Sequence, residues 1–360
     1  MSDRLEKLLQ TITELSHEFG TPDFVKGGGG NTSVKWGGRL YIKPSGTTLG
    51  SLGPDCFVAL DRAELAAVYT AEIPSDPQER EAAVLDLLRA AVLPGQDLRP
   101  SVESPMHDLL EATFVVHTHS VLANGMTCAV NGPQTGARLF PEALWVPYID
   151  PGFMLCMDLR KRVGEFVRAQ GQAPTTIFLD NHGIVVSGNS AEDIRNEYGR
   201  ILDTLKGEYA SSNIPLELQF GEVSSEVGVS DTCAAIRSCL GDQGLFVVHE
   251  RPFTVAEQPI DPDAIVYSGA FPYVGEVTSA GVRAFEEGHG YLPRLFSNDS
   301  GVFAAGSTET KAGLAMDLAR DSAEIQQLAM AFGGVDYLTD RQREFIEGWE
   351  VEVFRAKQIA

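Results

Sequence analysis

The sequence predicts an α/β protein with two parts, and three observations carry that expectation. Short runs rich in β-branched and aromatic residues, among them Phe114-Val115-Val116, Thr176-Ile177-Phe178-Leu179 and Ile184-Val185-Val186, have the length of strands. Segments with the helical period, such as residues 3–19 and 191–209, alternate with them along the chain. A length of 360 residues with 43% hydrophobic content suffices for a sizeable core and for two domains, or for one domain with a large extension.

Taken in order, Leu5, Leu8, Leu9, Ile12, Leu15 and Phe19 share one helical face, with Ser2 placed to cap the helix and Gly20 to stop it. Residues 26–33 follow. There Gly27, Gly28, Gly29 and Gly30 remove every Cβ and let successive backbone N–H groups approach a ligand, a phosphate for example; a flexible connection is the alternative reading. Residues 39–43 and 56–60 read as strands around a turn-rich stretch, and Lys43 either neutralises a substrate anion or faces water from a sheet edge. Residues 61–69, 79–91 and 104–111 have helical spacing. Ser120 can cap a helix reaching about Cys128, residues 143–148 read as a strand, and residues 155–168 as a helix. The hairpin over 176–186 carries His182 at its tip, before the long helix of residues 191–209. Asn213-Ile214-Pro215 marks a boundary between residues 1–213 and 214–360. Beyond it, residues 232–240 and 307–331 read as helices and residues 245–248, 264–267 and 301–305 as strands. Thr339 caps a last helix in which Phe345, Ile346, Trp349 and Val353 share a side.

The chemistry centres on the run that ends in His117-Thr118-His119. Strand side chains alternate faces, so His117 and His119 project together from the strand's end. With His182 they make three neutral imidazoles, which around a divalent ion leave a position open for substrate, the pattern of a catalytic zinc site. Taken singly, each histidine is as well explained as the end of a buried strand or the filling of a turn. Glu103, in Pro100-Ser101-Val102-Glu103, is placed either as a proton-transfer carboxylate beside such a metal or as a first-turn acid complementing a helix dipole. His107, four residues on, reads as packing on that helix.

Composition excludes several classes. A formal net charge of -22 argues against nucleic-acid and anionic-membrane surfaces, which are bound by clustered Lys and Arg. The five cysteines form no Cys-X-X-Cys pair and read as reduced residues of a cytoplasmic protein. No signal peptide is visible at the first residues, and no uncharged apolar run is long enough to span a bilayer.

Gly30-Asn31-Thr32-Ser33, Ile42-Lys43-Pro44-Ser45-Gly46, Pro100-Ser101-Val102-Glu103, the His117/His119 pair and Asn181-His182-Gly183, in that order, resemble the class II aldolase/adducin family over about residues 5–209. The resemblance implies a three-layer α/β/α catalytic domain with a mostly antiparallel sheet, followed by a smaller C-terminal α/β extension. It implies zinc, with manganese or cobalt fitting the same ligands, on His117, His119 and His182, and Glu103 as the catalytic acid-base. Gly30, Asn31, Ser45, Gly46 and Ser101 match the residues that cradle a sugar phosphate, although Val102 stands where the family's phosphate enzymes have a second Ser. The C-terminal part, through Asp261-Pro262-Asp263 and Gly348-Trp349-Glu350-Val351-Glu352, looks more loosely like the aldolase portion of bifunctional rhamnulose-phosphate aldolase/dehydrogenases.

The expected function is therefore a metal-dependent aldolase cleaving a small hydroxylated ketose or sugar, phosphorylated or not, with the cation taking up the charge of the enediolate. A 4-epimerase or a decarboxylase of the same family is the alternative, and an adducin-like assembly module is the reading from another class. The resemblance further implies a homo-oligomer, a tetramer in particular.

Overall fold

A computed structural model describes residues 3–222 and 226–349. Ser2, the expected helix cap, and Glu350, Val351, Glu352 and Val353 lie outside those residues. The chain divides into two units, one made of the residues up to Ala123 with Gly132–Leu205, the other of Asn124–Asn131 with the residues from Lys206 on.

In the first unit α1, Asp3–Glu18, buries Leu5, Leu9, Ile12 and Leu15, the face set by its apolar period. The next strand, β1, Asn31–Trp36, is not anticipated by the sequence reading. Asn31, Thr32, Ser33 and Lys35 make it look like a loop, yet all four are buried. β2, Arg39–Ile42, and β3, Val58–Asp61, complete an antiparallel meander with it. The helix expected over 61–69 is two short pieces: α2, Arg62–Leu65, capped by Asp61, and a 3₁₀ turn over Ala66–Tyr69. Then come α3, Pro77–Ala91, α4, Ser104–Leu109, β4, Phe114–Thr118, α5, Val121–Thr127, α6, Gly132–Leu139, β5, Leu144–Val146, α7, Phe153–Gln170, β6, Thr176–Leu179, β7, Gly183–Gly188, and α8, Ala191–Ser211; the last residues of α5 and of α8 are counted with the second unit.

These strands form a seven-stranded sheet in the order β3-β2-β1-β4-β7-β6-β5, antiparallel except where β5 runs parallel to β6. Ser16 on α1 bonds Thr32 at 2.6 Å, and Tyr198 on α8 bonds Thr118 at 3.0 Å, so these helices cover one face. On the other face Met106 and Leu110 at α4, with Leu155 and Leu159 of α7, pack against Val115, Ile177 and Val185. The result is three layers with β4 in the middle strand position. All five residues of β4 are buried, so a side chain at its end is held by neighbours on every side.

The second unit contains α9, Glu226–Leu240, β8, Phe246–Glu250, α10, Pro262–Tyr267, β9, Tyr273–Val274, α11, Ser279–His289, β10, Leu295–Asn298, β11, Gly301–Gly306, α12, Glu309–Ala329, and α13, Asp340–Gly348. Its sheet runs β8-β11-β10-β9. Helices α9 and α11 pack on one face through Ile236 and Val282, and α12 on the other through Ala315 and Met316. Residues 264–267, expected as a strand, are helical. Asp261 accepts a hydrogen bond from Ala264 N and Pro262 opens the first turn, start signals that outweigh the β-like Ile265-Val266-Tyr267. The sequence reading also omits α6 and α11, which contain helix-weakening glycines, and the short strands β9 and β10. Thr339 caps α13 with a full capping box, as expected. No helix among the described residues is long and apolar enough to cross a membrane.

Candidate metal centre

The end of β4 and the β6–β7 turn bring three imidazoles together. β1 and β7 flank β4, with Asn31 and Val185 opposite His117, so the ring of His117 is fully buried. His119 follows the strand and is anchored by its N–H to Phe24 O at 2.9 Å. In the β6–β7 turn Asn181 takes φ 50°, a left-handed conformation that asparagine tolerates. Gly183 allows the turn to close on β4, because a Cβ there would lie 2.3 Å from Thr118 O. Ring centroids of His117, His119 and His182 are then 4.8–4.9 Å apart, and their ligand nitrogens lie within 4.8 Å of one another.

His117 donates from Nδ1 to Ile184 O at 2.9 Å, which leaves the lone pair on Nε2, 3.1 Å from His119 Nε2. Three converging ring nitrogens with one tautomer fixed from behind suit a divalent cation that accepts nitrogen ligands. This is the group of potential ligands found among the described residues.

Glu103 faces this cluster. Its backbone N–H bonds Ser101 Oγ at 3.2 Å, while Ser104 bonds Ser101 O through both N and Oγ, fixing the turn at the start of α4. The Glu103 side chain makes no cap bond to that helix. Instead Oε1 lies 3.6 Å from His117 Nε2 and 3.7 Å from His182 Nε2, and Oε2 accepts a hydrogen bond from Asn31 Nδ2. Burial pushes the Glu103 carboxyl up, whereas positive charge on His117, His182, His107 and His119 outweighs burial and draws the group down to about 2. His107, within α4, is not one of the three grouped ligands; its Nδ1 lies 2.8 Å from Ser33 Oγ. Burial, which dominates, holds His107 neutral, with a pKa of about 3.

The glycine loop lies against the same strand. Gly30 has φ +65°, and a Cβ on it would sit 2.7 Å from His117 O, so glycine is required both for conformation and for space. Lys43 does not face water: it is 2% exposed and donates to Gly28 O at 3.2 Å and Thr47 O at 2.8 Å. It thereby joins the glycine loop to the turn holding Ser45 and Gly46, where Ser45 N bonds Arg99 O at 2.9 Å. The structure thus gathers Gly30, Asn31, Ser101 and Glu103 around the three histidines and ties Ser45 and Gly46 to the adjoining loop. Sequence reasoning misses the supporting contacts of Ser33, Lys43 and the Ile184 carbonyl, because no local pattern announces a bond made across the sheet.

The family described as Class II Aldolase and Adducin N-terminal domain matches residues 10–199. Among curated proteins, the uncharacterized oxidoreductase YuxG of Bacillus subtilis is 27% identical over 175 residues, 46% of this chain and 24% of that protein. The match therefore spans about a quarter of that relative's length. Among solved structures, the N-terminal class II aldolase domain of a Thermoplasma acidophilum protein is 24% identical with a TM-score of 0.48, covering 57% of this chain and 93% of its own. YgbL of Escherichia coli is 21% identical with a TM-score of 0.41, over 59% of this chain and 93% of its own. An L-fuculose 1-phosphate aldolase is 16% identical with a TM-score of 0.39, over 59% and 88%. With more than half of its length matched, the chain belongs to the class II aldolase and adducin N-terminal domain family.

Proposed function

We propose that the chain is a metal-dependent carbon–carbon lyase, an aldolase acting on a small hydroxylated ketose or sugar, with zinc on His117, His119 and His182. The observation that carries this reading is the Glu103 carboxylate turned toward three converging imidazole nitrogens. A cation held there supplies Lewis acidity toward the carbonyl and neighbouring hydroxyl oxygens of a substrate.

In the condensation direction Glu103 Oε1 takes a proton from the carbon next to the carbonyl. In cleavage the hydroxyl that becomes the aldehyde carbonyl gives up its proton to Glu103 Oε1, which delivers it to the carbon left when the carbon–carbon bond has broken; in condensation the same proton ends on the new hydroxyl. Asn31 holds the carboxylate in place through Oε2. Gly30, Ser45, Gly46 and Ser101 anchor the far end of the substrate. Retention of the three histidines together with Glu103 favours an enzyme over a non-catalytic assembly module.

Solvent deuterium uptake followed by NMR tests the proposal, with zinc-loaded protein offered dihydroxyacetone phosphate, dihydroxyacetone and pyruvate. Uptake into one compound, lost in Glu103→Gln and after chelation, supports it and names the nucleophilic fragment. No uptake with metal bound removes these donors and directs product analysis to epimerisation and decarboxylation.

A further inference from the structure

The second unit repeats part of the first. Phe246-Val247-Val248-His249 of β8 has the same sequence as Phe114-Val115-Val116-His117 of β4. β4 pairs with β7 so that Phe114 faces Gly188 and His117 faces Val185; β8 pairs with β11 so that Phe246 faces Gly306 and His249 faces Phe303. β5 runs parallel beside β6, and β9 parallel beside β10, so β8-β11-β10-β9 reproduces β4-β7-β6-β5. α8 and α12 are each 21 residues long. The metal triad is not reproduced, because Arg251 and Ser300 stand at the positions of His119 and His182.

The repeat makes the strand-to-helix junctions comparable atom by atom. Ser190 Oγ accepts from Asp193 N at 3.1 Å, and Thr308 Oγ1 accepts from Lys311 N at 3.2 Å. A Cβ on Gly188 would lie 2.7 Å from Asp193 Cβ, and one on Gly306 2.9 Å from Lys311 Cβ. In the first unit the Asp193 carboxylate accepts from the N–H groups of Asn189 and Ser190 at 3.0 and 2.9 Å, filling the junction with an internal anion. In the second unit the equivalent donors belong to Ser307 and Thr308, and the acid is replaced by Lys311. No carboxylate among the described residues accepts from them.

A cavity of about 600 Å³ opens at this junction, lined by Ser307, Lys311, Arg294, Tyr267, Leu314 and Ile346. Lys311 donates only to Ser307 Oγ, and Arg294 only to the carbonyls of Val266 and Tyr267, so neither cation is paired with an acid among the described residues. Glu347, which also borders the cavity, is paired with Arg343. In a chain with net charge -22 two uncompensated cations at one cavity are a marked local excess.

We infer that this cavity binds a small oxyanion-bearing molecule, a phosphate ester or a carboxylate, whose anionic group takes the place on Ser307 and Thr308 that the Asp193 carboxylate occupies on Asn189 and Ser190. Lys311 and Arg294 supply the balancing charge, and Tyr267, Leu314 and Ile346 meet the less polar remainder. The site shares no residue with the metal centre and does not depend on the function proposed for it.

The test is an amide NMR titration of the ¹⁵N-labelled full chain with inorganic phosphate, glycerol 3-phosphate and glycerate, reading the Ser307 and Thr308 resonances. That readout reports on the β11–α12 junction itself. Saturable shifts of both amides are expected, and the tightest of the three probes identifies the anionic group. Lys311→Asp recreates the internal carboxylate and is expected to weaken the response at least about tenfold, whereas Lys311→Arg retains it. Arg294→Gln is expected to weaken it as well and serves if Lys311→Asp fails to fold. Amides that stay still with all three probes, or a Lys311→Asp chain that responds as the natural one does, would overturn the inference.

Discussion

Asn31 donates its side-chain N–H to one oxygen of Glu103, while the other oxygen of that carboxylate lies 3.6 Å from His117 Nε2. Asn31 also sits opposite His117 across the β1–β4 ladder, so one strand positions both Glu103 and an imidazole of the candidate metal centre. Asn31→Ala should leave zinc content unchanged and lower kcat/KM by about 10- to 100-fold, the range for removing a group that orients a metal site. Atomic absorption beside steady-state kinetics checks both halves of this expectation.

Glu103→Gln keeps the shape and the Asn31 contact but cannot accept a proton. Proton exchange into the substrate should fall by about 10²- to 10⁴-fold with zinc still bound. Loss of zinc in this variant would instead make Glu103 a ligand.

Removing the cation should also be visible in stability. At a free concentration one hundred times Kd, a ligand bound only by the folded state contributes about 2.7 kcal/mol. Chelation of the natural chain should therefore lower its melting temperature by several degrees, and His182→Ala should melt at the lower temperature with or without added zinc. Differential scanning calorimetry is the measurement.

Gly183→Ala drives a Cβ into the Thr118 carbonyl, which is backbone and cannot rotate away. The expected destabilisation is about 1–3 kcal/mol, with weaker zinc binding because the His182 turn shifts. Gly199→Ala, in α8 with nothing within 4 Å of the added atom, is the control and should stabilise by up to about 1 kcal/mol. Urea unfolding of both variants compares them directly.

Lys35 gives a pH dependence with a definite sign. Burial, opposed by Asp108, brings its ammonium down from 10.5 to about 7. Between those values the unfolded chain holds a proton that the folded chain has released, so stability rises with pH from about 7 toward 10. Lys35→Met should flatten that slope and raise stability most at and below pH 7, as read from urea midpoints across the range.

Elements with a strong local period were legible in the sequence. The apolar face of α1, the hairpin that carries His182 and the cap at Thr339 follow from spacing and capping chemistry alone, and the structure has them where expected. Residues 264–267 were misread because a short apolar run carries no period, and Asp261 with Pro262 had to be weighed against it. β1 was invisible because its polar residues are buried by partners distant in the chain, Thr32 by Ser16 and Ser33 by His107.

By itself the sequence determined which chemical groups this protein has at its disposal: two imidazoles on one side of a strand end, a third in a turn, a carboxylate ahead of a short helix and a glycine run. Strand alternation and turn chemistry are local, so they survive in the order of residues. The tertiary structure alone decided that these groups meet. It brought Glu103 within 4 Å of His117 and His182, buried Lys43 against two carbonyls, and turned the β11–α12 junction into a cavity with a lysine where its repeat holds an aspartate. Distances between residues far apart in the chain are set by sheet order and packing, which no local pattern encodes.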